Sequence, residues 1–408
     1  MNSGRTVFSQ LIAFVPDREF RRCVTRYGGE RRRREFSCWD QYLPMAFAQL
    51  TYRESLRDIE SCLRSLQGKL YHMGFHGRVS RWTLADANES RDWRIFADFA
   101  QVPISIARPL YAHDPMAVEL EQSLYTLDST TIDLCLSLFP WARFRQHKAA
   151  VKMHALLDLH GNIPAFLRVT DGQVHDVNIL DEFLPEAGAF YVMDRGYIDF
   201  ERLFIFTLCS AFSVVRNKQS VLLQRRYSHP VDPATGLRSD HTVILTALAS
   251  AKVYPDPLRR VTYFDAVTQQ RLQFLTNNFA LPALTVAQIY RCRWQAELFF
   301  KALKQNLRLK TFVGTSPNPL QIQIWTALIA LLLLKYLQLR ARFGWSLSNL
   351  AALLRQQLFV YRDLWVWIDQ PFRPPPLLDT VAEQIPLPWS TNLDSKNANL
   401  NREPTPGA

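Results

Sequence analysis

The chain has 408 residues, 48% of them hydrophobic and 21% charged, which excludes a wholly disordered or fibrous protein and leaves room for two or three folded domains. A formal net charge of +11 and an isoelectric point near 9.5 favour a polyanionic partner, either nucleic acid or an anionic membrane surface. Six scattered cysteines (Cys23, Cys38, Cys62, Cys135, Cys209, Cys292) form no CxxC pair, which argues against a disulfide framework or a zinc site and reads as a reduced, intracellular chain.

Residues 1–115 read as a helical, basic, DNA-binding region. The apolar stretch near the start is followed at once by Asp17 and Glu19, without a signal-cleavage pattern. Arg18, Arg21, Arg22 and Arg26 lead to "GGERRRREF", where Arg31, Arg32, Arg33 and Arg34 form a run suited to phosphate contact; the bland alternative is a solvated loop. In "SLRDIESCLRSLQGKL", Leu56, Ile59, Leu63 and Leu66 recur at spacings of three and four, as an amphipathic helix requires. "SRWTLADANESRDWRIFADFA" is a second helical unit, with Ser80 and Thr83 as candidate caps and Trp82, Trp93 and Phe96 as candidate core. Such helices with interleaved arginines could hold a helix-turn-helix.

From about residue 120 the texture changes to strands: "SLYTLDSTTIDLCL", then "KMHALLDLHGNIPAFLRVTDG", which breaks at Gly161 and Asn162 like a hairpin. A helix near 177–184, the buried strand "AFYVMD", the helix "YIDFERLFIFTLCSA" and the strand "FSVVRN" follow. Residues 218–280 read as a β-rich insertion of strands and turns, and helices dominate from 285 to about 357. The apolar run "WTALIALLLL" before Lys335 is too short to cross a bilayer comfortably, so a buried core helix is expected and no membrane. Residues 346–370 read as a C-terminal helical segment and 371–408 as a Pro-rich polar tail, expected to be disordered. The whole is an α/β domain over 116–345, interrupted by a β insertion and preceded by a helical domain.

Asp128 ends "SLYTLD" and Asp194 ends "AFYVMD", each an apolar strand that runs into an acid and then a turn. Ligands gather at the carboxyl ends of strands in open α/β sheets, so the two converge if their strands are neighbours; taken singly, each is as well a turn or helix cap. Asp133, inside "TIDLCL", is a weaker candidate. A dehalogenase-type phosphotransferase would need an aspartate where Thr130 stands, and no GxxxxGK[ST] or GxGxxG loop occurs. A third acid lies in "YRCRWQAELFFKALKQNLRLK", residues 290–310, read as one helix. At about 100° per residue, Tyr290, Arg293, Glu297 and Lys304 fall within roughly 60° of one another on it. The plain alternative is a solvated stripe of i,i+4 ion pairs worth a few tenths of a kcal/mol each.

The spacing Tyr290-x2-Arg293-x3-Glu297-x6-Lys304 resembles the YREK signature of a group of bacterial insertion-sequence transposases of the DDE superfamily, whose catalytic core is ribonuclease-H-like. "TLDSTTIDL" and "YVMDRGYID" resemble the first and second acid motifs of that family, and the resemblance runs from about residue 120 to 340. It implies a ribonuclease-H-like mixed sheet flanked by helices. It implies further that Asp128, Asp194 and Glu297 are the catalytic acids and hold two Mg²⁺ ions, with Mn²⁺ able to substitute. Tyr290, Arg293 and Lys304 would hold DNA phosphates, Lys301 would add a further DNA contact, and Trp294 would be a stacking platform for an extruded base. The expected activity is cut-and-paste transposition with a hairpin intermediate. Its partners would be double-stranded DNA with terminal inverted repeats, target DNA and a second copy of the chain in a synaptic homodimer. A bacterial cytoplasm, at the nucleoid, is the expected location. From the residues themselves, His175, Asn217 and Lys218 are further candidates for the site, and "QRRYSHP" is a basic patch within the insertion. The alternatives are another ribonuclease-H-like metal nuclease, or a non-catalytic DNA-binding protein derived from a transposase.

Overall fold

In the computed structural model, residues 4–31, 35–111, 118, 120–145, 148–306 and 313–372 are described. Its strands are β1 (Leu124–Leu134), β2 (Arg143–Arg145), β3 (Lys148–Asp158), β4 (Ile163–Asp171), β5 (Phe190–Met193), β6 (Phe212–Arg216), β7 (Leu223–His229), β8 (Leu237–Leu245), β9 (Leu258–Asp265) and β10 (Gln270–Thr276). They form one sheet in the order β2-β3-β1-β5-β6-β10-β9-β8-β7, with β4 also paired to β3. β1, β3 and β4 are an antiparallel meander, while β5 and β6 run parallel to β1. That order, with helices on the faces, is the expected ribonuclease-H-like fold.

The β-rich insertion is not a separate body. β10 pairs antiparallel with β6, matching Phe274 to Arg216 and Thr276 to Val214, so β10, β9, β8 and β7 extend the catalytic sheet sideways. Two expectations change locally. The helix expected near 177–184 is a tighter 3₁₀ run over Asp176–Glu182. The insertion, read as strands and turns, also holds a short helix, Leu248–Val253.

Among the described residues, six α-helices precede the sheet: α1 (Val7–Ile12), α2 (Asp17–Arg26), α3 (Cys38–Thr51), α4 (Leu56–Ser65), α5 (Arg81–Ser90) and α6 (Arg94–Leu110). Their starts follow from the sequence. Ser37 and Asp40 form a reciprocal capping box on α3, Ser55 caps α4, and Ser80 caps α5 through the backbone N–H groups of Trp82 and Thr83. Thr83 therefore lies inside α5 and does not cap it. Ile59, Leu63 and Phe96 are buried as their spacing requires. Trp82 is not core: it is 73% exposed, because α5 buries Leu84, Ala87 and Asn88 instead, and the Arg81 guanidinium lies 5.0 Å from its ring centroid.

Between strands of the sheet lie α7 (Phe200–Leu208, between β5 and β6) and α8 (Leu248–Val253, in the insertion), and after it come α9 (Ala283–Arg291), α10 (Trp294–Asn306), α11 (Pro317–Arg340), α12 (Leu347–Gln357) and α13 (Leu364–Asp369). At 24 residues α11 is longer than the apolar run suggested and long enough by length and composition to cross a bilayer, but 83% of its apolar window is buried inside the protein. The core-helix reading stands on that burial. α11 lies in one continuous core with α1–α6, α10, α12, α13 and the β3–β4 side of the sheet. Of the tail expected to be disordered, 373–408 lies outside the described residues.

A polar knot fixes this helical body to the sheet. Tyr111, just after α6, donates to the carbonyl of Lys335 in α11 (2.8 Å), and Lys335 Nζ donates to the carbonyls of Gly161 (2.5 Å) and Asn162 (2.8 Å) in the β3–β4 turn. That turn is the expected hairpin, with φ +74° at Gly161 and +53° at Asn162. A Cβ at Gly161 would overlap the Tyr111 ring. Gly161→Ala should therefore cost about 3 kcal/mol of unfolding free energy, combining left-handed backbone strain with overpacking. Gly188→Ala, at φ +79° with open space around it, should cost about 1 kcal/mol. Urea unfolding midpoints check both; equal losses would remove the steric role of Tyr111.

Candidate active site

Register brings the first two acids together. β1 and β5 pair in parallel up to Leu127 opposite Met193, so Asp128 and Asp194 are the next residues on neighbouring strands. The strands part there. β5 ends, and Asp194 becomes the cap of a one-turn 3₁₀ helix, its Oδ1 accepting from the Gly196 N–H at 2.6 Å. β1 does not end at Asp128, as its sequence suggested, but continues to Leu134 against β3. The polar run "STT" is thus strand, held by antiparallel pairing that its composition does not reveal. Asp133, further along β1, is exposed.

The third acid arrives on a helix that differs from the expected one. Residues 290–306 are not continuous: α9 ends at Arg291 and α10 starts at Trp294. Between them, Cys292 and Arg293 donate to the carbonyls of Ile289 and Tyr290, and Gln295 and Ala296 to those of Cys292 and Arg293, all i to i−3. This overwound turn breaks the 100° step, so Tyr290 shares no α-helical face with the other three. It reaches the site from α9 instead. Its ring is buried, 4.5 Å from that of Phe274, and burial raises its pKa, with Arg293 acting against and Asp194 adding to the rise.

Arg293 links the acids. Its Nη1 donates to Asp128 Oδ2 at 2.6 Å and its Nη2 to Glu297 Oε1 at 2.8 Å. Lys304, further along α10, donates from Nζ to Thr130 Oγ1 and to the carbonyl of Thr131, both at 2.7 Å. Burial pushes Asp128 up to about 6; Arg293 and the Ser129 N–H pull it down, while Asp194 and Glu297 push it further up. Asp128 therefore feels the charge of the other two carboxylates. Trp294 is 58% exposed and Lys301 is exposed, both on α10. Arg31 is exposed in the turn after α2, and Arg32, Arg33 and Arg34 lie outside the described residues.

A second polar cluster adjoins Asp128, and its residues were not singled out as a site from the sequence. Asp176 Oδ1 accepts from Ser129 Oγ (2.9 Å) and from Lys152 Nζ (3.2 Å), and lies 3.7 Å from His154 Nδ1. His154 is fully buried, bonded through Nε2 to Thr170 Oγ1 at 2.9 Å, and burial lowers its pKa to about 4. Tyr197, also buried, sits in the negative field of Asp176, Asp128 and Asp194, and burial carries its pKa well above the usual phenol value. His175 is exposed, whereas its neighbour Asp176 faces the site. Asn217 follows β6, its N–H donating to the Gln273 carbonyl at 2.8 Å, and together with Lys218 it borders a basic cleft beside Arg195.

Three carboxylates, without Cys or an available His, form a hard oxygen donor set suited to Mg²⁺ or Mn²⁺. Among the described residues, no three acidic, His or Cys side chains are drawn close enough to grip one ion as they stand. The reason is visible: the Arg293 guanidinium stands between Asp128 and Glu297, and Asp194 turns one oxygen to Gly196. The donor types fit the ions, in rotamers now held by those contacts.

Strand order defines the chain as an α/β protein with a ribonuclease-H-like core. Residues 119–333, more than half the chain, match the family model described as "Transposase DDE domain", and the chain belongs to that family. It is a DDE transposase, a DNA-cleaving enzyme whose family generally uses divalent metal ions. Residues 3–76 match a domain of unknown function, DUF4372. A protein named as a transposase in Sinorhizobium fredii is 31% identical over 299 residues, 72% of this chain and 80% of its own length. A protein named as the transposase of insertion sequence element IS5377 in Geobacillus stearothermophilus is 29% identical over 243 residues, 59% of this chain and 63% of its own. One named for element IS4SA in Synechocystis is 27% identical over 296 residues, 71% and 80% respectively. A piggyBac transposase in a synaptic complex with hairpin DNA superposes with a TM-score of 0.45 at 10% identity, over 90% of this chain and 82% of that one, too weak a likeness to argue from.

The titration of Asp128 gives a test free of turnover. Its folded value of about 6 lies above the ordinary 3.8, so between these the native state keeps a proton that the unfolded chain has lost. Stability from this group is therefore present at low pH and lost as pH rises through that window. In chelator, wild type should lose stability relative to Asp128→Asn as pH rises from about 4 to about 6. Urea unfolding of both proteins across that range measures it, and a flat or opposite difference would refute the burial argument.

Proposed function

We propose that this transposase cuts at and joins the ends of an insertion sequence, with Asp128, Asp194 and Glu297 as its catalytic acids. The observation that supports this most directly is the Arg293 bridge, which ties Asp128 at the β1–β5 divergence to Glu297 on α10. In this reading the acids hold two Mg²⁺ ions, which when bound supply charge neutralisation and an activated water or 3′-hydroxyl for in-line displacement at phosphorus. The fit of YREK to Tyr290, Arg293, Glu297 and Lys304 belongs to the same reading.

Each residue has a physical task. Arg293 holds two buried-edge carboxylates in the state described, and once released from Asp128 its planar fork is free for a DNA phosphate. Lys304, anchored on the β1 backbone, keeps an ammonium beside the acids for a second phosphate. The Tyr290 hydroxyl stays protonated and can donate to a phosphate oxygen. Trp294, half-exposed on α10, offers a flat surface on which an extruded base can stack, which suits a hairpin intermediate. Lys301 adds charge on the same helix. The substrates are double-stranded DNA with terminal inverted repeats and target DNA, two copies of the chain pair the ends, and the work takes place in the bacterial cytoplasm at the nucleoid.

Glu297→Ala should lose about 10³-fold or more in cleavage of a duplex carrying the element's end, with Mg²⁺ present. Cleavage within tenfold of wild type would remove Glu297 from the centre, and products without hairpins on a denaturing gel would remove that intermediate alone. Arg293→Ala should also lose cleavage, yet bind Mn²⁺ about tenfold more tightly without DNA, because two charge-assisted hydrogen bonds no longer compete for the acids. Calorimetric titration with Mn²⁺ tests this; weaker or unchanged binding would contradict it.

A further inference from the structure

The positive charge of the chain is not spread evenly. In the N-terminal region many arginines are already engaged with acids of the same chain: Arg21 with Asp17 (2.9 Å), Arg22 with Glu19 (3.0 Å), Arg26 with Asp98 (2.5 Å), Arg53 with Asp58 (3.3 Å) and Arg94 with Asp92 (2.6 Å). Arg91 is buried and bonded to the carbonyls of Ser37 and Phe36. The insertion is different. From Arg216 to Gln273 there are nine Lys or Arg against four Asp, and the acids are largely used up locally. Asp240 is buried against Arg259 at 2.7 Å, Asp232 caps the turn before β8, and Asp265 holds the turn before β10.

What remains is a row of cations with no acidic partner among the described residues. At the carboxyl end of β6, Arg195, Arg216, Lys218 and Arg271 line a cleft of about 680 Å³, with only Asn217, Gln219 and Gln273 between them and no carboxylate in the lining. Arg195 directly follows Asp194, so one residue of the cleft wall is the chain neighbour of a proposed catalytic acid. From the other end the row continues over the sheet. Arg260, on β9, is crowded by Arg225 and Arg271; burial and those two charges lower its pKa, and its Nε is buried without a partner. Its Nη2 meets only His241 Nδ1, at 3.0 Å, and burial together with Arg260 and Arg225 depresses that imidazole. Like charges gathered in this way destabilise the free protein and are repaid when an anion with regular spacing lies along them.

We propose that this row is a track for the sugar–phosphate backbone of DNA, running from the catalytic acids through the Arg195–Arg216–Lys218–Arg271 cleft and across the insertion by Arg260 and Arg225. It rests on the transposase reading of the acids and adds the path by which a strand reaches them. The track is sequence-independent: guanidinium and ammonium groups bind phosphates, and the intervening Asn and Gln side chains add hydrogen bonds to sugar or phosphate oxygens.

The test is the salt dependence of binding, measured in chelator so that no cleavage intervenes. Wild type and a Lys218→Ala/Arg225→Ala/Arg271→Ala variant are titrated with a fluorescein-labelled mixed-sequence duplex at several salt concentrations. Each phosphate contact removed lowers the slope of log affinity against log salt by roughly 0.9, so the variant should lose about 2 to 3 units of slope. A loss below about one unit overturns the track. An equal loss in an Arg21→Ala/Arg22→Ala control also overturns it, since any lost charge would then act alike. Lys218 is half-buried and the other two are exposed, and their removal relieves the charge crowding on Arg260, so a melting temperature equal to or above that of wild type is expected and shows that the variant is folded. Cleavage by wild type and by Glu297→Ala reports separately on the catalytic reading: a track-dependent slope without cleavage sinks the chemistry and keeps the track, and cleavage with an unchanged slope does the reverse.

Discussion

The guanidinium of Arg293 is the interaction on which the site depends. It joins a strand and a helix 165 residues apart in sequence, taking one carboxylate from each. Without it, Asp128 would be a buried carboxylate facing two other acids, an arrangement that neutralises itself by taking up a proton. With it, the charges of Asp128 and Glu297 are held close and ready, at the expense of the cation's own freedom. The same overwound turn that ends α9 presents Arg293 between the acids, so the break in the helix and the assembly of the site are one event in the backbone.

Much of this was legible in the sequence, and what was not has physical causes. Asp194 was readable because β5 is short, wholly buried and stops at a cap, all of which are local properties. Asp128 was readable as an acid at a strand, but not the continuation of β1 beyond it, since that depends on a partner strand twenty or so residues later. Arg293, Glu297 and Lys304 keep their relation because they lie on or at the start of one helix. Tyr290 was placed with them by arithmetic that the i to i−3 turn invalidates; its nearness to Arg293 is that of the turn itself, while its nearness to Asp194 is tertiary, with its ring packed on Phe274. Trp82 misled for a simpler reason. Size suggests burial, but at the first turn of a capped helix a large ring can lie on the surface beneath an arginine.

Charge tells a similar story at larger scale. Composition announces a polyanion partner without saying where it binds, and a run of arginines draws the eye to the N-terminal region. Pairing tempers that emphasis for Arg21 and Arg22, because an arginine with an acid one helical turn away contributes little net field. The insertion, whose carboxylates serve its own turns and one buried pair, carries a row of cations without acidic partners among the described residues, on the track proposed to lead to the acids.

The burial of α11 has a consequence for how the molecule comes into being. Helices α3, α5 and α6 pack on a helix that begins at Pro317, and the knot of Tyr111, Lys335 and Gly161 closes only when residue 335 is present. During synthesis, some 200 residues of sheet and insertion must emerge between the first helical layer and the helix that completes its core. The earliest segment made is thus among the last to be locked in place, with its apolar surface open to the cell for most of the chain's translation.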